Sequence, residues 1–449
     1  MGTLADKRRL YRLGRLGAAL TAVCLAATAA GATADASGLA GSRWEKFPAG
    51  SIPRIAATAT VLGSGMVLVA GGEPGGSAEL LDPATKRWKK TGSMTAPRNF
   101  HAATLLRDGR VLVTGGVGLG AAAGKAGEAP RPLEAAELFD PKTGKWSSAG
   151  SVSPGRFGHV AVALADGRVL VAGGRVGGHD PTLPDAAIYD PTTGAWTPTG
   201  SLASGRSDFA ATRLKDGRVL VTGGWPGGHS ESRADAELFD AGTGKWSTVP
   251  HLMTARRAAH SSTRLSDGSV LLAGGTTSVV GGGYGATLTS AEIFDPLKGA
   301  FTEAPSMRQR RSDHSGTLLP GGKVLIAGYF AHHVDEKGLI GAEIFDPVKK
   351  AWSPAPEAPV VPGMHTAALL SKNCGDRCGS VLLIGSSENS SQKARNFAEL
   401  FGSKPLSEGS ASEPAKRSGG PIVAGVIASA ALGFLVVVFM LRRRARLSE

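Results

Sequence analysis

The segment HAATLLRDGRVLVTGG, residues 101–116, sets two short apolar runs on either side of Asp-Gly and closes on a glycine pair. The same arrangement returns as HVAVALADGRVLVAGG from 159, FAATRLKDGRVLVTGG from 209 and HSSTRLSDGSVLLAGG from 260. Apolar runs of strand length joined by Asp-Gly predict a tight antiparallel hairpin, with Gly in the left-handed turn position. Each copy is followed by a strand of the type Ala-Glu-Leu-Phe-Asp, then by Asp-Pro-x-Thr-Gly, a second turn signal, and then by a strand carrying Trp.

Seven such blocks follow one another. Their glycine pairs are Gly71-Gly72, Gly115-Gly116, Gly173-Gly174, Gly223-Gly224 and Gly274-Gly275, degrading to Ala327-Gly328 and Gly385-Ser386. The third strands end at Asp82, Asp140, Asp190, Asp240, Asp295 and Asp346, with Gly402 in the seventh place. The fourth strands carry Trp88, Trp146, Trp196, Trp246, Phe301 and Trp352, and block seven has no such residue. Trp44, ahead of block one, is the candidate to complete it, so that an N-terminal strand closes the ring and leaves no open edge.

The double glycine, the Glu-Leu-Phe-Asp strand and the spaced Trp resemble kelch repeats over roughly residues 44–403. The resemblance implies an all-β fold: a seven-bladed kelch β-propeller, four antiparallel strands per blade, closed by an N-terminal strand. The glycine pairs are expected where blades converge, the tryptophans in the wider gap further out, and Glu79, Glu137, Glu237, Glu292, Glu343 and Glu399 on backbone donors between blades.

Composition agrees, with 64 Gly, 42% hydrophobic and 19% charged residues in 449. The net charge of +13 suggests nucleic acid until its location is considered. Lys7, Arg8, Arg9, Arg12, Arg15, Arg442, Arg443, Arg444 and Arg446 lie at the two ends. Without them, and without Asp6 and Glu449, 41 basic face 35 acidic residues, an ordinary surface that gives no nucleic-acid signal. The basic start, the apolar LGAALTAVCLAATAA and Ala32-Thr33-Ala34 read as a signal peptide, residues 1–34, with lipidation at Cys24 and an uncleaved anchor as alternatives. Residues 404–420 form a polar linker, 421–441 a charge-free segment long enough for a transmembrane helix, and 442–449 a basic cytoplasmic tail. A plain anchor and a processed surface-sorting signal both fit this C-terminus. The expected location is the cell envelope, outside the cytoplasm, with a membrane contact through the C-terminal helix.

Chemistry would sit on the face carrying the variable connections after the glycine pairs. The first strands start there with Arg54, Arg98, Arg156, Arg206, Arg257 and Arg311. Kelch adaptors that bind acidic peptides place arginines at this point, and the resemblance implies a ring of guanidiniums able to grip an acidic protein or glycan. Pairing within the fold is the alternative. His101, His159, His260, His314 and His365 follow three residues on; positions repeated around a ring lie too far apart to share one ion, so hydrogen bonding is expected. Trp225 is out of phase with the packing tryptophans and is a candidate stacking surface. His179, Asp180, His229, Tyr329 and the run His332-His333-Val334-Asp335-Glu336 fall in the variable connections. Cys374 and Cys378 replace the Asp-Gly turn of block seven and predict a disulfide. No catalytic residue, metal site or cofactor is assigned. The expected function is a membrane-anchored interaction module, with a carbohydrate-active propeller enzyme as the alternative.

Overall fold

A computed structural model describes residues 42–119, 131–177, 182–228, 230–277, 279–280, 283–284, 286–328, 341–355, 358–359, 365–388 and 394–402. All belong to the first of two units, Met1–Leu406. The signal-peptide, linker, anchor and tail assignments lie outside the described residues. Among the described residues no helix is long and apolar enough to cross a membrane.

The predicted hairpins form and stack as four-stranded antiparallel sheets, seven in all. Blade 2 is typical: Ala102–Leu105, Val111–Thr114, Ala135–Asp140 and Lys145–Ser151, paired in sequence order. Its second strand, VLVT, is buried at every position because neighbouring blades cover both faces. The fourth strand sits at the rim and is mostly exposed. Blade 7 takes Thr366–Leu369, Val381–Glu388 and Ala394–Gly402 from the C-terminal side and Arg43–Lys46 from the N-terminal side. Trp44 faces Phe401 in that pairing, so the ring closes as the sequence predicted. Trp44 and Phe401 make the rim aromatic pair at 5.1 Å. Phe139–Trp146, Tyr189–Trp196, Phe239–Trp246, Phe294–Phe301 and Phe345–Trp352 repeat it at 4.9 to 5.2 Å. The indole N–H of Trp146 then donates to the Gly92 carbonyl of the preceding blade, 2.8 Å away, and Trp246 does the same to Gly200 at 2.7 Å.

The glycine pairs make the inner joints. The second glycine donates its N–H to the carbonyl of the next blade's framework arginine: Gly72 to Arg98, Gly116 to Arg156, Gly174 to Arg206, Gly224 to Arg257 and Gly275 to Arg311, all at 2.7 to 2.9 Å. A Cβ on Gly71 would lie 2.6 Å from the Arg98 carbonyl and from the His101 ring, and its φ is +71°. Only glycine meets both conditions.

On the face of the Asp-Gly hairpins, basic side chains lace adjacent blades. Arg110 Nη2 donates to the Pro191 carbonyl and Arg168 Nη2 to Ala241, both at 3.0 Å. Lys215 reaches Ser266 O at 2.6 Å. In blade 7 the Cys374–Cys378 disulfide forms, and the adjacent Arg377 donates to the Ala84 carbonyl of blade 1 at 3.2 Å.

Gly71→Ala should therefore cost about 3–5 kcal/mol in urea unfolding, combining left-handed strain with a steric clash. Gly109→Ala, at φ +89° with nothing within 4 Å of the added Cβ, should cost only about 1–2 kcal/mol. Equal losses would show that the joint tolerates a Cβ.

Candidate functional site

The six framework arginines are interior. Arg98, Arg206, Arg257 and Arg311 are 0% exposed, Arg156 2% and Arg54 4%. This corrects the expectation of guanidiniums presented to a ligand. The cause is local: Arg98 Nη1 donates to the carbonyls of Gly115 (2.9 Å) and Ala135 (2.6 Å), and Nη2 to Glu137 at 2.8 Å. Arg54–Glu79, Arg206–Glu237, Arg257–Glu292 and Arg311–Glu343 repeat the ion pair at 2.5 to 3.3 Å. The partner belongs to the same blade. Each of these glutamates also accepts one or two backbone N–H groups from the segment arriving from the preceding blade, as Glu137 does from Thr95 (2.8 Å) and Ala96 (3.2 Å). One carboxylate thus fixes an arginine and orients the entry of its blade. Burial lowers the pKa of Arg98, and Glu137 opposes that shift. Glu399 of blade 7 faces no framework arginine, and burial raises its pKa.

The histidines bond across blades. Nε2 of His101, His159, His260, His314 and His365 meets Thr58, Thr114, Thr222, Ser261 and Ser315 at 2.8 to 3.0 Å. The hydroxyl comes from one of two residues facing each other across the first two strands: Thr58 opposite Ala70, Ala102 opposite Thr114, Ala210 opposite Thr222, Ser261 opposite Ala273, Ser315 opposite Ala327. Blade 3 offers Val160 opposite Ala172, with no hydroxyl, and the residue facing it from blade 4 is Phe209. Burial, then the nearby arginines, holds His101, His159 and His314 down to about 3, and His260 well below its ordinary value.

Around the axis, on the face of the variable connections, runs a collar. Ala56, Phe100, Gly158, Asp208, Ala259 and Asp313 each lie two residues beyond a framework arginine, with φ between +51° and +64°. Backbone N–H groups link them blade to blade: Phe100 to Ala56 (3.2 Å), Asp208 to Gly158 (2.9 Å), Ala259 to Asp208 (2.8 Å) and Asp313 to Ala259 (3.0 Å). One side of the collar is apolar, where Ala56, Phe100, Val117 and Phe157 cluster. The other side is polar. Arg175, fully buried, lies 3.3 Å from Asp208 with its guanidinium 4.6 Å from the Phe157 ring and 5.0 Å from Trp225. Burial raises the Asp208 pKa and Arg175 opposes it. Trp225 is 1% exposed, so it packs on Arg175 and offers no stacking surface to solvent. The out-of-phase position of Trp225 was legible in sequence; Arg175 and Asp208 were not, because only the collar brings them together.

No protein-family model matches the chain, and no curated protein matches it. Among solved structures it is similar to a fungal alcohol oxidase of the AA5 family in complex with copper: 20% identity, 84% of this chain, 79% of that chain, TM-score 0.60. It is also similar to YjhT: 16% identity, 68% of this chain, 98% of that chain, TM-score 0.52. The fold is a seven-bladed β-propeller. The copper is named for that oxidase alone. The ring histidines spend Nε2 on hydroxyls of neighbouring blades, and among the described residues no three His, Cys, Asp or Glu converge as a metal site. His179, Asp180, His229, Tyr329 and residues 332–336 lie outside the described residues.

Two outcomes follow. Glu137→Ala strands a buried guanidinium and should cost about 3–5 kcal/mol. The four strongly shifted histidines stay neutral when folded and protonate when unfolded, so the unfolded state takes up protons below pH 6.5. Stability should be fully present above that pH and fall between about 6.5 and 3, by up to about 1.4 kcal/mol per pH unit for each histidine. His159→Phe with Thr114→Ala, copying the joint of blades 3 and 4, should remove one proton from the slope in urea titrations. An unchanged slope would mean that His159 does not stay neutral.

Proposed function

We propose that the chain is an exported kelch-type propeller, held at the cell envelope by residues 421–441, that acts as an interaction module for a protein or glycan. The observation that carries this reading is the contrast between its two faces. On one face the Asp-Gly hairpins keep nearly one sequence and are cross-laced by Arg110, Arg168 and Lys215. On the other, the connections after the glycine pairs leave beside the axial collar and vary from EPGGS at 73–77 to VGLGAAAGKAGEAPRPLE at 117–134. A constant scaffold displaying a variable rim is suited to recognition. Charge no longer selects an acidic partner, since five of the six arginines are neutralised within their blades. Among the described residues a shallow recess lined by Gly50, Arg54, Glu79, Trp88, Ile384 and Phe397 lies at the joint of blades 7 and 1.

The test is a crosslinking pull-down from native envelopes with the full-length protein. Replacing residues 120–130 by a short Gly-Ser bridge should lose a partner that Arg110→Ala on the opposite face retains. Loss by Arg110→Ala alone would reverse the assignment of the binding face.

A second reading, a carbohydrate-active enzyme, is favoured by one observation: Asp208 and Asp313 stand on the same collar, separated by Ala259. Turnover of a glycan panel by the full chain, abolished in Asp208→Asn, would replace the interaction reading.

A further inference from the structure

Blade 3 breaks the arginine–glutamate rule. Where five blades carry Glu79, Glu137, Glu237, Glu292 and Glu343, blade 3 carries Ala187, opposite Val171 in the register that sets Glu137 opposite Val113. Its arginine remains. Arg156 Nε donates to the Pro154 carbonyl at 3.2 Å, and Nη1 donates to the carbonyls of Gly173 and Asp185 at 3.1 and 3.2 Å. The two Nη1 bonds are the anchors that place the other framework guanidiniums, and the Nε bond is shared with Arg98. Among the described residues no carboxylate lies within ion-pair distance of Arg156 in place of the missing glutamate.

The backbone side of the socket is altered in the same sense. In other blades the carboxylate accepts the N–H three residues before the arginine: Ser51 at 3.2 Å, Thr95 at 2.8 Å, Ala203 at 2.9 Å, Thr254 at 2.8 Å and Arg308 at 2.8 Å. That position in blade 3 is Ser153. The next N–H, used in blades 2, 5 and 6, is replaced by Pro154, which has none. Deleting the glutamate thus leaves one N–H and one guanidinium edge without their usual acceptor. The five glutamates are 0 to 3% exposed, whereas Ala187 is part-exposed, so the vacated position is reached from outside.

We propose that this socket binds a small monocarboxylate. The atoms that Ala187 lacks relative to glutamate, a methylene and a carboxylate, are those of acetate. A carboxylate entering there would meet Arg156 Nη2 and the Ser153 N–H in the geometry that the fold builds around Glu137 in blade 2. The planar fork of a guanidinium suits such an anion better than a halide. Asp185 is the competing charge: it is close enough to raise the pKa of Arg156 against the lowering by burial, yet it bonds through its carbonyl. Its counterpart Asp235 in blade 4 reaches Arg206 at 3.0 Å and is held in place by Arg233 at 2.7 Å. Blade 3 has Leu183 where blade 4 has Arg233.

The proposal stands apart from the interaction reading and is tested separately. Thermal unfolding of the full-length protein is followed in sodium acetate and in sodium chloride at equal ionic strength and pH 7. Acetate should raise the midpoint in a saturable way that chloride does not reproduce. Ala187→Glu and Ala187→Gln, which fill the socket, should abolish the acetate-specific rise. Asp185→Asn should lower the half-saturating acetate concentration several-fold. Glu137→Ala should create a second, acetate-rescued socket in blade 2. Equal effects of acetate and chloride on the native protein would overturn the proposal. So would an acetate effect that persists in Ala187→Glu, or one left unchanged by Asp185→Asn.

Discussion

The ring depends on one close approach, repeated at each joint: the glycine pair of one blade against the arginine carbonyl of the next. The hydrogen bond from Gly72 to Arg98, or from Gly275 to Arg311, exists only because no Cβ intervenes. Adjacent inner strands can then approach closely enough for His101 to find Thr58 and for the collar residues to bond around the axis. Further out the gap widens, and the rim tryptophans fill it and bond to the preceding blade. The taper of each blade is thus written as glycine inside and indole outside.

Burying an arginine in every such joint requires compensation. Five blades supply it with a glutamate that also holds the entry of its own blade. The two exceptions are complementary in kind: blade 3 keeps the guanidinium and drops the carboxylate, and blade 7 keeps Glu399 and drops the arginine. The histidine joints show a matching economy. Where blade 3 has no hydroxyl to offer, blade 4 presents Phe209 in place of a histidine, so no imidazole Nε2 is set against that apolar joint.

Much of this was legible in the chain. The repeat gave the number of blades and the Trp44 closure, because a four-stranded blade missing its fourth aromatic must find it elsewhere. The pairing of Glu137 with backbone donors followed from its buried setting. The direction of the arginines did not follow. Arg98 has the same neighbours in sequence whether its guanidinium faces solvent or turns back onto Gly115 and Ala135, and only the folded blade places those carbonyls beside it. Trp225 was visible as an odd residue, while its partner Arg175 lies fifty positions earlier and meets it only through the collar.

The sequence alone therefore determined the local alternation of strand and turn and, by repetition, the closed ring, since each block carries its own hairpin signals and packing residues. Tertiary structure decided what those residues face. Burial, charge pairing and the pKa of each histidine arise from the neighbouring blade, and a neighbour across a joint is set by ring geometry that no single block encodes.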